Sequence, residues 1–349
     1  MNEMPASPSR LERLRGLLLG GALGDALGAP VEFMSRREIL ARFGPRGITD
    51  FAPAYGREGA ITDDTQMTLF TLEGLIRADV RYRLKGVCNP VGVIGHAYRR
   101  WRATQEDRAV ADPELDGWLI QQAALWSRRA PGLTCMSALT RQGSFAEPAR
   151  NDSKGAGGIM RVGPIGLVEA RDPFELARAA AALSHGHVTG QVAAGWFAAW
   201  IDQIAKGHSL QRSAMNAWQL CRGQAPELDR ALEQALQLAD GGYRPALPDD
   251  LGEGWIAEEA AAIALWCVLV APDPMEAVRL AANIDGDSDT TGTLVGQVFG
   301  ALLGAAWIPP SMLERLELVD VMEALAQDAE ALFSGAVEPE ALWARYPGW

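Results

Sequence analysis

The sequence contains little of the chemistry on which most zinc and redox sites depend. Among its 349 residues there are only four cysteines and four histidines. The cysteines lie far apart, at Cys88, Cys135, Cys221 and Cys267, and form no CxxC pair. This spacing excludes a zinc ribbon and favours a reducing compartment. The scarcity of histidine likewise argues against a metal centre built on imidazole ligands.

The chain also lacks a basic stripe and a long uninterrupted apolar run. Its net charge is -12, whereas nucleic-acid binding usually needs clustered lysine and arginine, so nucleic acid is not an expected partner. The most apolar stretch near the N-terminus, residues 14–31, contains Asp25 and five glycines and is followed by no cleavage site. It is therefore neither a signal peptide nor a membrane span. The sequence predicts a soluble cytoplasmic protein without membrane association.

Alternating strands and a βαβ rhythm are missing as well, while helical spacing of apolar residues recurs along most of the chain. Helices are predicted at 10–27, 62–78, 88–104, 115–127, 174–183, 191–204, 210–222, 226–238, 256–271, 274–283 and 293–307. The segments 41–61 and 240–254 are predicted loops, because they are polar or rich in glycine and proline. We expect an all-α protein with a flexible tail at 1–9 and a single domain at 10–349.

Two of the predicted helices carry a line of glycines on one side. Glycine recurs every fourth residue from Gly20 to Gly28, and again from Gly292 to Gly304. Glycine inside a helix lowers its stability, and the usual gain is that another backbone can approach closely. We therefore expect both helices to be buried and tightly packed, with each a candidate partner for the other.

Acidic residues concentrate in two short stretches, each at a predicted helix start. One is Thr62-Asp63-Asp64-Thr65, and residues 285–290 are Asp-Gly-Asp-Ser-Asp-Thr. Capping of a helix N-terminus explains one carboxylate in each stretch. It does not explain several like charges side by side, which repel each other unless a cation neutralises them. Oxygen ligands suit Mg²⁺, Mn²⁺ or Ca²⁺, so the two stretches predict a metal site.

Two known motifs were compared with the second acidic stretch. An EF-hand loop counted from Asp285 needs glycine at its sixth position and glutamate at its twelfth, and Thr290 and Gly296 stand there instead. The phosphatase signature D-x-D-x-T/V of the haloacid dehalogenases does match residues 287–291. That signature should follow an apolar strand, which residues 281–284 resemble poorly. The EF-hand is therefore rejected, and the phosphatase remains an alternative.

Two further stretches are rich in small residues. Residues 151–158 are Asn-Asp-Ser-Lys-Gly-Ala-Gly-Gly, and residues 184–187 are Ser-His-Gly-His. A loop of the first kind exposes backbone N–H groups and suits a phosphate, although an ordinary turn has the same composition. The lysine precedes the glycines, so the loop is not a Walker A motif, and its glycine spacing does not match G-x-G-x-x-G either.

In this order and spacing, the motifs resemble the ADP-ribosylglycohydrolase family, specifically the dinitrogenase-reductase-activating glycohydrolase type. The matching stretches are residues 24–33, 62–65, 151–161, 185–187 and 286–290, within a resemblance that extends from about residue 14 to residue 307. The resemblance implies an orthogonal helical bundle with a binuclear Mg²⁺ or Mn²⁺ centre. It also implies hydrolysis of the glycosidic bond between ADP-ribose and a modified protein side chain, with ADP-ribosyl-arginine as the first candidate.

The resemblance further assigns roles to individual residues. The implied metal ligands are Thr62, Asp63, Asp64, Asp287, Asp289 and Thr290. The implied substrate-binding residues are Asn151, Ser153, Lys154, Gly155, Gly157, Gly158 and His185. Glu32 and Asp63 are the implied catalytic residues, and Glu32 would act as a general acid or base near the scissile bond. Asp285 stays outside the ligand set, because the family often has glycine at that position.

The expected partner is an ADP-ribosylated protein or another ADP-ribose conjugate. A second hypothesis keeps the fold and makes the chain an immunity protein that sequesters an ADP-ribosyltransferase toxin. The full set of metal ligands favours an active hydrolase over this alternative. The phosphatase alternative requires a parallel sheet, so the secondary structure decides it.

Overall fold

A computed structural model describes residues 7–105, 115–141, 143–168 and 172–348. These residues form helices and no β-strand; the β-type pairings among them are two isolated bridges, Ala54 with Arg57 and Gly155 with Ile256. The all-α prediction is confirmed, and the phosphatase alternative is wrong, because the described residues contain no parallel sheet. Most of the predicted tail, residues 1–6, lies outside the described residues. None of the described helices is both long and apolar enough to cross a membrane.

Fifteen α-helices and five short 3₁₀ turns occupy the described residues. The helices are α1 Arg10–Gly28, α2 Arg36–Phe43, α3 Asp63–Lys85, α4 Pro90–Thr104, α5 Leu133–Arg141, α6 Pro173–Ala182, α7 Val188–Ala205, α8 Leu210–Cys221, α9 Pro226–Ala239, α10 Ala257–Val270, α11 Pro274–Ala282, α12 Ser288–Leu303, α13 Pro310–Leu313, α14 Val319–Phe333 and α15 Pro339–Leu342. Most of the predicted helices are confirmed with small shifts at their ends, and α3 continues past its predicted end at Ala78. The patterns described above do not predict α2, α5 or α13 to α15.

The predicted helix at 115–127 is wrong. Within it the chain forms two 3₁₀ turns, Leu119–Gln121 and Ala123–Leu125. The carboxylate of Glu73 in α3 accepts the N–H of Leu119 at 3.4 Å. Two side chains of α3 thus bind backbone groups of this segment, because Arg77 also donates to the carbonyl of Asp116. These backbone groups are satisfied without the hydrogen bonds of a helix.

Helices α1 and α12 pack against each other along their glycines, and we call this contact the glycine seam. Its members are Gly16, Gly20, Gly24 and Gly28 of α1, with Gly292, Gly296, Gly300 and Gly304 of α12 and its C-terminal end. A Cβ atom at Gly292 would lie 2.6 Å from the carbonyl oxygen of Gly24, so no side chain fits between the two backbones. The pairing of Gly16 with Gly300 and of Gly24 with Gly292 makes the helices antiparallel. Both glycine faces are buried and packed on each other, as expected.

A methyl group in the seam should therefore destabilise the protein. We expect Gly296→Ala to lower the free energy of unfolding by about 1–3 kcal/mol, because the new Cβ overlaps the backbone of Gly20. Urea denaturation measures this difference. Gly92 in α4 is a matched control, since a Cβ there would meet Ala146 at an ordinary 3.7 Å. If Gly92→Ala and Gly296→Ala have equal effects, the seam is looser than described.

Candidate active site

A cleft of about 780 Å³ opens where the N-termini of α3 and α12 converge. Nine of the residues singled out from the sequence lie in its wall: Glu32, Asp63, Asp64, Gly155, Gly157, His185, Asp287, Asp289 and Thr290. They come from the turn after α1, from two helix starts and from two loops. The fold thus brings together residues that are far apart in the sequence, from Glu32 to Thr290.

The start of α3 is held by a carboxylate from another helix. Asp25 of α1 is fully buried, and its side chain accepts the N–H of Thr62 at 2.9 Å and the N–H of Thr65 at 3.1 Å. It also accepts the hydroxyl of Thr65 at 2.5 Å. These are groups that a helix start leaves without partners. Asp25 therefore fixes the backbone on which Asp63 and Asp64 stand, a role that the sequence analysis did not assign to it.

Asp63 is held on its other side by the segment that precedes α5. Its N–H donates to the carbonyl of Arg129 at 3.1 Å, and its Oδ2 accepts the N–H of Gly132 at 3.2 Å. Thr62, the N-cap residue, accepts the N–H of Asp64 through its Oγ1 at 3.3 Å. Thr62 is buried behind the two aspartates and is not part of the cleft wall.

The start of α12 presents its carboxylates in a similar way. Asp287 is the N-cap residue, and its Oδ1 accepts the N–H of Thr290 at 3.3 Å. Asp289 accepts the same N–H at 3.0 Å. The turn before the helix needs glycine, because Gly286 has a φ of 138°. Asp285 is exposed and accepts the N–H of Arg36 at 2.9 Å, away from the cleft.

Six buried carboxylates thus lie near one another, and no lysine or arginine of the described residues forms a salt bridge with any of them. They are Asp25, Glu32, Asp63, Asp64, Asp287 and Asp289. The pKa values of Asp63, Asp64 and Asp287 are raised well above the usual value of an aspartate. Burial is the largest cause, and repulsion from Asp289 is the second. The same two causes raise the pKa of Glu32 to about 10 and that of Asp25 to about 7. A cation among these groups would favour their ionised forms.

The side chains of this cluster fit a hard divalent cation, because their donor atoms are oxygens and are buried. All of the side-chain donors are oxygens, as Mg²⁺ and Mn²⁺ prefer. Asp64 Oδ1 and Glu32 Oε2 are buried and have no hydrogen-bond partner. No three acidic, histidine or cysteine side chains of the described residues are close enough to hold a metal as they stand. Binding would therefore require the carboxylates to rotate toward the ion.

Another part of the cleft wall is formed by the glycine loop, residues 151–158, through Gly155, Ala156 and Gly157. Its bare backbone faces the ring of His185, because a Cβ at Gly157 would lie 3.3 Å from Cε1 of that ring and 3.1 Å from Sγ of Cys135. The N–H of Ala156 donates to the carbonyl of Trp255 at 3.0 Å. The loop is thus held from both sides while Gly155 and Gly157 remain open to the cleft.

Four other loop residues named from the sequence do not lie in the cleft wall. Asn151 accepts the N–H groups of Ser153 and Gly186 at 3.0 and 2.9 Å, which joins the two small-residue stretches. The hydroxyl of Ser153 bonds that of Thr134 at 3.1 Å. Lys154 points away from the cleft and forms ion pairs with two glutamates of α9 and α10. Gly158 is buried behind His185. These residues shape the loop.

A buried cation lies one layer behind this wall. Arg161 is fully buried and makes no ion pair with any described residue. Its guanidinium stacks 4.0 Å from the ring centroid of Tyr98 and donates to Ser184 Oγ at 2.6 Å. Ser184 in turn lies 2.9 Å from Nδ1 of His185. Burial, then the charge of Arg161, lowers the pKa of His185 to about 3, so its ring is neutral. No sequence pattern indicated this arrangement.

The capping role of Asp25 can be tested by its removal. We expect Asp25→Ala to lower the free energy of unfolding by about 1–3 kcal/mol, because it leaves buried N–H groups without an acceptor. Asp285→Ala is the matched control and should stay within about 0.5 kcal/mol of wild type, since that carboxylate is exposed. Chemical denaturation of both variants gives the comparison. A negligible effect of Asp25→Ala would mean that Thr62 alone suffices to cap α3.

Comparison with known proteins agrees with this geometry. The family model described as ADP-ribosylglycohydrolase matches residues 6–339. The ADP-ribosyl-[dinitrogen reductase] glycohydrolase of Rhodospirillum rubrum is 27% identical over 321 residues, which cover 89% of this chain and 92% of the relative. The ADP-ribosylarginine hydrolase Tri1 of Pseudomonas putida is 24% identical, with 91% of this chain and 78% of the relative covered.

A mammalian relative and a solved structure show the same likeness. The ADP-ribosylhydrolase ARH3 of Bos taurus is 24% identical, with 93% of each chain covered. A solved ADP-ribosylglycohydrolase-related protein complex superimposes with a TM-score of 0.68 at 27% identity, covering 93% of this chain and 98% of the other. With a family model matched along nearly its whole length, the chain belongs to the ADP-ribosylglycohydrolase family.

Proposed function

We propose that the protein is a metal-dependent hydrolase that releases ADP-ribose from a modified protein side chain, with ADP-ribosyl-arginine as the first candidate. The observation that carries this proposal is that a cluster of buried carboxylates and a loop of bare backbone line one cleft. Membership of the family supports hydrolysis. The relative named for ADP-ribosylarginine supports the choice of an arginine conjugate, and the relative named for ADP-ribosyl-[dinitrogen reductase] supports a protein as the carrier.

Two divalent cations, Mg²⁺ or Mn²⁺, are the proposed cofactors. Their ligands would be Thr62, Asp63, Asp64, Asp287, Asp289 and Thr290. When bound, the ions would polarise a water and hold the vicinal hydroxyls of the ribose. The positive ends of the α3 and α12 dipoles point at the same carboxylates and favour their ionised state.

Glu32 is the proposed proton-transfer residue. Cleavage at C1 of the ribose builds positive charge on the sugar and negative charge on the leaving group. Glu32 lies in the cleft wall, its Oε2 is buried without a partner, and burial keeps its pKa high. A carboxyl group in that state can donate a proton to a leaving group. Asp63, whose Oδ2 is held by the N–H of Gly132, is the proposed second catalytic carboxylate.

The glycine loop is the proposed site for the diphosphate and the distal ribose. Gly155 and Gly157 bring bare backbone to the cleft, where an anion can approach closely. Nδ1 of neutral His185 lies 2.9 Å from the hydroxyl of Ser184, and its Nε2 lies beside Gly155. The tautomer that carries its hydrogen on Nε2 would offer a donor to the ligand there. Asn151, Ser153, Lys154 and Gly158 would act indirectly, by holding the loop in shape.

The metal sites predict a stabilisation that depends on the ions. Mn²⁺ at about 100 times its dissociation constant should raise the stability of the wild type by about 2.7 kcal/mol for each ion bound. Asp64→Ala should abolish most of this gain, because it removes a proposed ligand. Asp285→Ala should retain the gain, because its carboxylate faces away from the cleft. Thermal unfolding with Mn²⁺ and with chelator measures all three proteins, and an identical response in each would contradict the proposed ligand set.

Hydrolysis itself can be separated from binding at Glu32. We expect Glu32→Gln to slow the release of ADP-ribose from an ADP-ribosyl-arginine peptide by about 100-fold or more. Binding of free ADP-ribose, measured by calorimetry, should stay close to that of wild type, since the amide has the same shape. A serine-linked peptide assayed in parallel tests the choice of substrate. Wild-type rates in the variant would assign the proton transfers to other groups.

A further inference from the structure

Four large apolar side chains are exposed around the mouth of the cleft. Phe33 is 75% exposed, Leu133 80%, Tyr55 42% and Trp255 39%, and all four line the cleft. We call these residues the apolar collar. Contiguous exposed apolar side chains with polar surroundings usually mark a surface that binds something.

The collar is assembled by the fold from four separate segments. Phe33 follows α1, Tyr55 lies in the loop before α3, Leu133 begins α5, and Trp255 precedes α10. Other exposed large apolar side chains of the described residues, among them Leu220 on α8 at 55% exposure, lie outside the cleft wall. The four collar residues are therefore associated with the cleft, and they are not part of a general exposure of apolar side chains over the surface.

Three of the collar residues, Phe33, Tyr55 and Trp255, are held by contacts although they are exposed. The rings of Phe33 and Trp255 stack with centroids 6.0 Å apart and an interplanar angle of 18°. The guanidinium of Arg129 lies 5.2 Å from the ring centroid of Tyr55. The carbonyl of Trp255 accepts the N–H of Ala156 in the glycine loop. A preformed surface of this kind loses little conformational freedom when it binds a partner.

We propose that the apolar collar docks the polypeptide that carries the ADP-ribosyl group. This inference rests on the proposed function, in which the scissile bond lies beside Glu32. Phe33 follows Glu32 directly, so the modified side chain leaves the cleft between the collar residues. The polypeptide backbone then crosses the mouth, where Leu133 and Trp255 can contact its flanking residues. The collar favours conjugates of proteins over small conjugates with the same bond.

The test compares the affinities for two ligands in a variant with impaired hydrolysis, so that the modified peptide stays intact during the measurement. In Glu32→Gln protein, the affinity for a peptide ADP-ribosylated on one arginine is measured beside the affinity for ADP-ribose alone. Adding Leu133→Ser should weaken peptide binding by about 10-fold and leave ADP-ribose binding within about 2-fold. Phe33→Ser should act in the same direction. Leu220→Ser, equally apolar and exposed but outside the cleft, should change neither affinity.

Several outcomes would overturn the proposal. Equal affinity of the Glu32→Gln protein for the peptide and for ADP-ribose would show that nothing beyond the nucleotide is bound. A parallel loss of both affinities in Leu133→Ser would place the collar in the nucleotide site. A wild-type dimer that dissociates in Leu133→Ser, seen by light scattering, would make the collar a contact between copies of this chain.

The test separates the collar from the catalytic proposal. Absence of hydrolysis by the wild-type protein would count against the proposed function only, because the binding comparison needs no turnover. If hydrolysis occurs, steady-state kinetics should show a raised KM for the peptide in Leu133→Ser with an unchanged kcat. The KM for free ADP-ribosyl-arginine should then remain that of wild type, and a change in it would contradict docking of the polypeptide.

Discussion

Direct contact between the backbones of α1 and α12 is the constraint on which the site depends. Because no side chain separates the two helices, the first turn of α12 has one possible place against the last turn of α1, where Gly28 touches Ser288 and Asp289. Asp25, on the same last turn of α1, holds the first turn of α3. One helix therefore positions both acidic helix starts, that of α12 through backbone contact at Gly28 and that of α3 through the buried side chain of Asp25.

The rigid frame holds an arrangement that is unfavourable in itself. Buried carboxylates that repel one another cost stability, as their raised pKa values show. Packing elsewhere offsets this cost, with Trp101, Trp196, Trp200 and Trp266 fully buried in the helical core. Stability and function thus lie in different parts of the chain, which is common where a site keeps charges ready for a ligand.

Features with a local origin were predictable from the sequence, and features that depend on distant contacts were not. Apolar spacing indicated most helices, and the glycine spacing indicated close packing, because both periodicities follow from helix geometry. Thr62 caps α3 locally, but the second part of the cap comes from Asp25, 37 positions before Thr62, so no local pattern records it. Lys154 lay in a plausible phosphate loop, yet glutamates from α9 and α10 draw it outward. The collar likewise exists only after four segments converge.

Arg161 has a consequence for the cleft as a whole. Its charge is surrounded by neutral groups, the ring of Tyr98 and the hydroxyl of Ser184, so no described counter-ion cancels its field. The buried carboxylates line the same cleft, so negative groups and a positive charge behind the wall act on one small volume of low-dielectric interior. For a molecule with an anionic centre, this asymmetry would favour a position with the anion near the glycine loop, on the side of Arg161. A residue that never touches the cleft can in this way influence how a charged molecule is oriented inside it.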